Sequence, residues 1–289
     1  MKGRTMKIEE IKEVVKSRYG KFAEKGGGKE ACWPSKKQPG SGYAVGQGLY
    51  EQTDLSLIPE VALNLSRGCG NPTGFANIQS GDVVVDFGCG GGIDVILAAH
   101  KVGEQGGVIG IDFASQMIER AKQAVTEAGL KDRNIRLRVA DMGKTNLPDG
   151  IADVVISNCV INLCPDKDAV YKEAFRLLRP GGRVAISDIV LTEGFNPELR
   201  NRFESTWSGC LGGAIPENEY LKKVKQVGFA QIKIVAHHLL TPEELEAMAR
   251  CPGEEFTPSP AKEDLALVQG RVRSIKFTAV KRFLNKGTA

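Results

Sequence analysis

Cysteines and one glycine-rich turn supply the residue types in this 289-residue chain that can do chemistry. Cys69 lies in Arg67-Gly68-Cys69-Gly70-Asn71-Pro72, and Cys159 in Ser157-Asn158-Cys159-Val160-Ile161-Asn162. Cys210 lies in Trp207-Ser208-Gly209-Cys210-Leu211-Gly212-Gly213. Glycines beside a cysteine leave its sulfur open to a ligand or to another stretch of backbone. The three positions form no Cys-x-x-Cys pair, so a structural zinc site is not expected. Against any one thiol stands the plain alternative of a small buried hydrophobe, and Cys89, Cys164 and Cys251 are read that way. Cys32 opens a stretch to Glu51 with four glycines and two prolines, long for a connector and of the kind that forms lids or binding loops.

The second feature is Val83-Val84-Val85-Asp86-Phe87-Gly88-Cys89-Gly90-Gly91-Gly92, which reads as strand, tight turn and helix start. Its glycines let the backbone turn sharply and approach a ligand, while the helix start offers free N–H groups. Asp112 follows 26 residues after Asp86, at the end of the next strand, where a carboxylate accepts ribose hydroxyls. A glycine-rich turn alone is weak evidence, but here the strand, helix and downstream acid come with it. Asp86, just before the glycines, would repel a pyrophosphate and suits a ligand carrying an ammonium or sulfonium charge.

The elements that must position these groups alternate along the chain. Residues 7–24 carry Ile8, Ile11, Val14, Val15 and Tyr19 at helical spacing, and a short helix is expected near 59–65. From residue 82 strands are expected at 82–87, 108–111, 135–139, 153–157 and 183–187. Helices are expected at 93–102, at 115–129 with Ser115 as cap and Gly129 as stop, and at 166–178 before Pro180-Gly181-Gly182. This order points to an α/β fold, a mostly parallel sheet with helices on both faces. Residues 1–60 read as an N-terminal helix and cysteine-bearing loop, 61–195 as the Rossmann-like domain, and 196–289 as an appended α+β region covering one sheet edge. In the last part helices are expected near 197–206, 217–227 and 242–249, and strands near 230–236 and 274–280. In such a fold ligands gather at the carboxyl ends of the strands. Asn158 and Cys159, at the end of the fourth strand, should therefore face the reacting group.

Composition narrows the class. Hydrophobic residues are 42% and charged residues 26%, as in ordinary globular chains. The net charge of +4, spread along the sequence, does not point to a nucleic-acid partner. No apolar run is long enough to span a bilayer, and the first ten residues have no apolar stretch of the signal-peptide kind. Seven cysteines, an odd and sparse set, fit reduced thiols and a cytoplasmic location. There are three histidines, and the adjacent pair His237-His238 reads as an edge-strand feature.

The segment Asp86-Phe87-Gly88-Cys89-Gly90-Gly91-Gly92 resembles the first motif of class I S-adenosylmethionine-dependent methyltransferases. That resemblance implies a methionine moiety over Gly88 and Gly90, ribose on Asp112, and adenine near Asp141 and Met142, with Met117 and Asn158 also at the cofactor. The three cysteine segments, with Pro165-Asp166-Lys167 and Leu211-Gly212-Gly213-Ala214, closely resemble the arsenite S-adenosylmethionine methyltransferases. The likeness runs from about Lys12 to Ala236. It implies that Cys69, Cys159 and Cys210 bind trivalent arsenic as thiolates, for arsenic detoxification. It also implies that Cys32 acts as a fourth thiol that hands arsenic in or later closes a disulfide, with a thioredoxin-type or small dithiol reductant as partner. Soft thiolates suit a soft metalloid, whose lone pair needs no general base, and loss of their protons should make binding pH-dependent. Two alternatives stay open on the residues alone: a methyltransferase of another small molecule, and a thiol-based metalloid-binding protein.

Overall fold

Three consecutive valines between two aspartates leave the chain little choice but a strand covered on both faces, and Val83–Phe87 is the centre of the sheet. The computed structural model describes residues 7–27, 50–204, 210–249 and 261–282. Cys32 and Cys251 lie outside the described residues.

The strands are β1 (Val83–Phe87), β2 (Gly107–Asp112), β3 (Ile135–Val139), β4 (Ala152–Asn158), β5 (Leu178–Leu191), β6 (Phe229–Leu239) and β7 (Val272–Lys281). The helices are α1 (Ile8–Glu24), α2 (Gln52–Leu55), α3 (Glu60–Leu63), α4 (Pro72–Phe75), α5 (Ile93–Val102) and α6 (Ser115–Glu127). They continue with α7 (Lys167–Leu177), α8 (Pro197–Glu204), α9 (Glu217–Val227), α10 (Pro242–Ala249) and α11 (Lys262–Val268). The sheet order is β3-β2-β1-β4-β5-β7-β6, parallel from β3 to β5 and antiparallel at β7 and β6.

Alternate residues of β1 and β4 face opposite layers. Val85, Phe87 and Val155 pack with Val170, Tyr171 and Tyr220 of α7 and α9. Val84, Val154 and Ile156 pack with the nearly all-apolar α5 and with Ile118 and Ala124 of α6. Helices therefore cover both faces, as the alternation of strands and helices requires. Chain order reverses between β1 and β4, so a crevice opens at their carboxyl ends, beside Gly88 and Asn158.

Two local expectations differ. Ser115 is the first helical residue of α6 rather than its cap; Ala114 holds that place without a side-chain cap. The acceptor is Asp112, whose Oδ1 takes the Ala114 N–H at 2.9 Å. Pro180-Gly181-Gly182 does not separate α7 from the next strand, because β5 begins at Leu178 and contains it, pairing with β4 through an irregularity between Ala152 and Val154. The region after 195 covers the β5 edge of the parallel sheet, and does so by continuing the sheet: β7 inserts between β5 and β6, its Ile275, Phe277 and Ala279 fully buried. Its period-2 burial is that of an antiparallel strand with two unequal faces.

Candidate active site

The turn after β1 is built by glycine geometry. Gly88, Gly90 and Gly92 have φ of +71°, +50° and +93°, a region that favours glycine. A Cβ on Gly88 would meet the Val160 side chain. Gly88 and Cys89 donate N–H bonds to the Ile111 carbonyl, at 2.8 and 2.9 Å. Asp112 then fixes the turn from the neighbouring strand, its Oδ2 accepting the Gly90 N–H at 2.9 Å.

Beside the turn opens a cavity of about 1120 Å³, open solvent at its mouth included. Gly88, Gly90, Asp112, Met117, Asp141, Met142, Asn158 and Cys159, singled out in the sequence, all line it. Cys89 and Cys164, read as buried fillers, are buried and also touch its wall.

Asp86 does not reach the wall. It is buried, its Oδ2 has no hydrogen-bond partner, and burial with the nearby Asp94 and Asp112 pushes its carboxyl well above the usual range. Asp86 thus stands behind the cavity wall, with Asp94 and Asp112 on the wall beside it. Asp94, which the sequence reading passed over, does line the cavity. It accepts from the Tyr50 hydroxyl at 3.2 Å and from Asn158 Nδ2 at 3.0 Å. Helix α1 supplies Lys12, Val15, Lys16 and Tyr19 to the wall, and Lys12 Nζ lies 2.6 Å from Asp141 Oδ2. Periodicity exposed α1 as a helix but held no sign of what its face would cover.

The thiols meet behind this wall: Cys159 lines the cavity, and Cys69 and Cys210 approach it from beyond the lining. Cys159 follows directly after β4 at φ +61°, an unusual conformation for a side chain to adopt. Its N–H donates to the Ser187 carbonyl of β5 at 2.7 Å. Its Sγ lies 3.3 Å from Cys210 Sγ, and Cys210 Sγ lies 3.2 Å from the Cys159 carbonyl oxygen. Cys69 Sγ sits 3.8 Å from Ser187 Oγ, and the Cys69 and Cys159 sulfurs and an Asp188 carboxylate oxygen all lie within 4.8 Å of one another. The cysteines are 1%, 5% and 8% exposed and sit in an apolar cluster with Leu163, Ile189, Leu191, Phe203 and Leu211. That burial pushes the Cys69 and Cys159 thiols up, so both are neutral at pH 7.

Asp188 is the acid that sequence reading missed. It is buried; its Oδ1 accepts from Ile189 N–H at 2.8 Å and Asn162 Nδ2 at 2.9 Å, and its Oδ2 from the Tyr220 hydroxyl at 2.9 Å. The available signal was Ser187-Asp188 at the carboxyl side of a strand. His237 and His238 lie on the edge strand β6 and pair with Glu217 and Glu244, in keeping with the plain reading of that pair.

Two consequences are measurable. A Cβ on Gly70 would run into the Ser187 side chain between packed strands. Gly70→Ala is therefore expected to destabilise by at least about 1–3 kcal/mol, the usual cost of overpacking, read as a lowered melting temperature. An unchanged melting temperature would contradict the tight packing of this loop. The second concerns pH. Burial raises Asp94 and Asp188 to about 6, above the roughly 4 of an unfolded chain. Between those values the folded chain keeps protons that the unfolded chain has lost, so stability falls as pH rises through the window. Glu173 works oppositely, held at about 2 against desolvation by Arg176 and Thr145, and its contribution is lost only below about pH 4.5. The ligand-free chain should thus melt higher at pH 5 than at pH 7.5; a melting point that climbs with pH over that range would refute it.

Known proteins resemble this chain to different extents. A family model described as a methyltransferase domain matches residues 78–231, more than half of the chain. An arsenite methyltransferase of Halobacterium salinarum is 35% identical over 237 residues, covering 78% of this chain and 59% of that relative. The chain spans less than two thirds of the length of the curated arsenite methyltransferases it matches. The X-ray structure of an arsenic(III) S-adenosylmethionine methyltransferase from Chlamydomonas reinhardtii has a TM-score of 0.66 at 28% identity, over 81% of this chain and 74% of that one. Aklanonic acid methyltransferase of a Streptomyces species is 37% identical over 138 residues, 48% of this chain and 62% of that relative. With the family model spanning more than half of it and the class I sheet beneath its glycine turn, the chain belongs to the methyltransferase-domain family.

Proposed function

We propose that this protein transfers a methyl group from S-adenosylmethionine to trivalent arsenic held by Cys69, Cys159 and Cys210. The observation that carries the reading is the meeting of these thiols beside the cavity of a methyltransferase fold, although 90 and 51 residues separate them in sequence. Relatives named as arsenite methyltransferases support it.

The cavity fits the donor. Each Asp112 oxygen accepts one backbone N–H, and a carboxylate has about four acceptor sites, so both retain capacity for ribose hydroxyls. Gly88 and Gly90 keep side chains out of the space over the turn, and Met117 and Met142 offer apolar wall to a base. When bound, S-adenosylmethionine supplies an electrophilic methyl group on a sulfonium.

The protein's residues do the rest. Three thiols replace three hydroxyls of arsenous acid, each thiol proton leaving in a molecule of water. Burial favours the protonated form of Cys69 and Cys159, and exchange from thiols is proton-neutral, so arsenite affinity is expected to be level across neutral pH. That outcome differs from the pH dependence expected from thiolate ligation. Three sulfur ligands leave arsenic its lone pair, so the residues position reactants and no base is required. Asp188 places a carboxylate near the sulfurs, where the charge arriving with the methyl group is stabilised. Transfer leaves arsenic formally pentavalent, and two thiols restore the trivalent state by closing a disulfide. Cys32 is the proposed partner in that disulfide, with a dithiol or thioredoxin-type protein returning the electrons, and arsenic detoxification is the outcome served.

The test is incubation with arsenite, a thiol and S-adenosylmethionine, followed by arsenic speciation. Methylated arsenic is expected. Its absence, with turnover of a carbon or oxygen acceptor while the thiols are blocked, would overturn the reading in favour of a chemistry like that of the aklanonic acid relative.

A further inference from the structure

The Asn158 side chain is bonded on every side. Its Oδ1 accepts from the Cys69 N–H at 3.0 Å and the Gly70 N–H at 3.1 Å, which fixes the orientation of the amide. Its Nδ2 lies 2.8 Å from the Gly70 carbonyl oxygen, 3.0 Å from Asp94 Oδ2 and 3.1 Å from the Tyr50 hydroxyl. A Cβ on Gly68 would collide with this same side chain, so the Gly68–Gly70 loop is laid directly against it. One amide thus joins the loop that carries Cys69 to the Asp94–Tyr50 wall of the cofactor cavity.

The donor count makes this join responsive. An amide nitrogen has two hydrogens, and here three acceptors compete for them. Asp94 also takes the Tyr50 hydroxyl, at 3.2 Å, so its carboxylate draws on both donors when no cation is near. A ligand ammonium beside Asp94 supplies that carboxylate with its own donors. Nδ2 is then released to the Gly70 carbonyl and the Tyr50 oxygen, which closes the amide around the Cys69–Gly70 backbone.

We propose, building on the function given above, that Asn158 is the positioning residue that couples the two sites: filling the cofactor cavity orders the Cys69 loop and tightens arsenite binding. By reciprocity arsenite tightens cofactor binding by the same factor. The chemistry gains an order of events, since the thiol site reaches full affinity only when a donor is in place.

The experiment measures arsenite affinity by equilibrium dialysis, with arsenic counted by mass spectrometry. It is run with and without saturating S-adenosylhomocysteine, which carries the ammonium and has no methyl group to transfer. Wild-type protein is expected to bind arsenite roughly tenfold more tightly with the probe, within the range of measured couplings. In Asn158→Ala the ratio should fall to near one, whereas a merely structural role would weaken both affinities and keep the ratio. Tyr50→Phe keeps the amide and removes one competing acceptor. It also takes from Asp94 its second donor, so Asp94 holds Nδ2 more firmly: arsenite should bind more weakly than in wild type without the probe and the ratio should rise, which keeps the inference testable if Asn158→Ala fails to fold. A wild-type ratio of one, or a ratio unchanged in either folded variant, overturns the coupling while leaving the proposed function standing. Failure of the wild type to bind arsenite at all overturns both.

Discussion

Cys159→Ser is expected to lower arsenite affinity by at least about a hundredfold and to leave methylation undetectable. Replacing only the outer partners of a ligand set commonly costs roughly 10–100-fold in affinity, and this change removes a ligand itself. Serine keeps the size of the residue but offers a hard oxygen where arsenic prefers soft sulfur. Cys159 is the most exposed to this test because it stands between the others: its sulfur lies 3.3 Å from Cys210 Sγ and within 4.8 Å of Cys69 Sγ. Its residue also lines the cofactor cavity. Equilibrium dialysis gives the affinity and arsenic speciation the turnover. Cys164→Ser is the control, since the Cys164 sulfur faces the Asp166 carbonyl at 3.6 Å, and its arsenite affinity should stay near that of the wild type. Full arsenite binding by a folded Cys159→Ser protein would remove Cys159 from the site.

Asp112→Ala should weaken S-adenosylmethionine binding by at least one to two decades, measured by calorimetry. Hydrogen bonds to a charged group are worth about 1.5–3 kcal/mol, and each 1.4 kcal/mol is about tenfold. The change also orphans the Gly90 and Ala114 N–H groups that the two carboxylate oxygens hold at 2.9 Å. The glycine turn then loses its anchor to β2 as well as its ribose acceptor. Asp112→Asn retains one acceptor oxygen and should fall between wild type and the alanine variant. Equal affinities in all three would show that Asp112 does not meet the ligand.

The readable parts of this protein were those whose cause is local. The glycine turn declared itself within ten residues, because an apolar strand, positive-φ glycines and a helix start must follow one another there. Helices α1, α5, α7 and α9 were legible from apolar spacing and stop signals to within a residue or two. Asp112 could be placed on the cavity because the carboxyl ends of parallel strands lie at one edge of the sheet, whereas Asp141 and Met142 came with the family resemblance. Asp86 looked like a charge for the ligand because spacing reveals position in a strand but not depth. The upward push on its carboxyl comes from burial and from Asp94 and Asp112 beside it.

What the amino-acid sequence determined by itself was the inventory: a nucleotide-type turn, an acid at the second strand, and three cysteines in glycine- or asparagine-bearing segments. Which of these would touch was decided by tertiary structure. Pairing of β4 with β5 sets Asn158 opposite Ser187, and that register carries Cys159 and Asp188 to one place. The loop before β1 adds Cys69 because Gly68 and Gly70 have no side chain to hold it off Asn158 and Ser187. Cys210 arrives from the segment before α9, packed into the same apolar cluster. None of these contacts is between sequence neighbours, so no local preference of the chain encodes them. They form only when the sheet's long-range pairings close, and burial at that point is also what keeps the Cys69 and Cys159 thiols neutral.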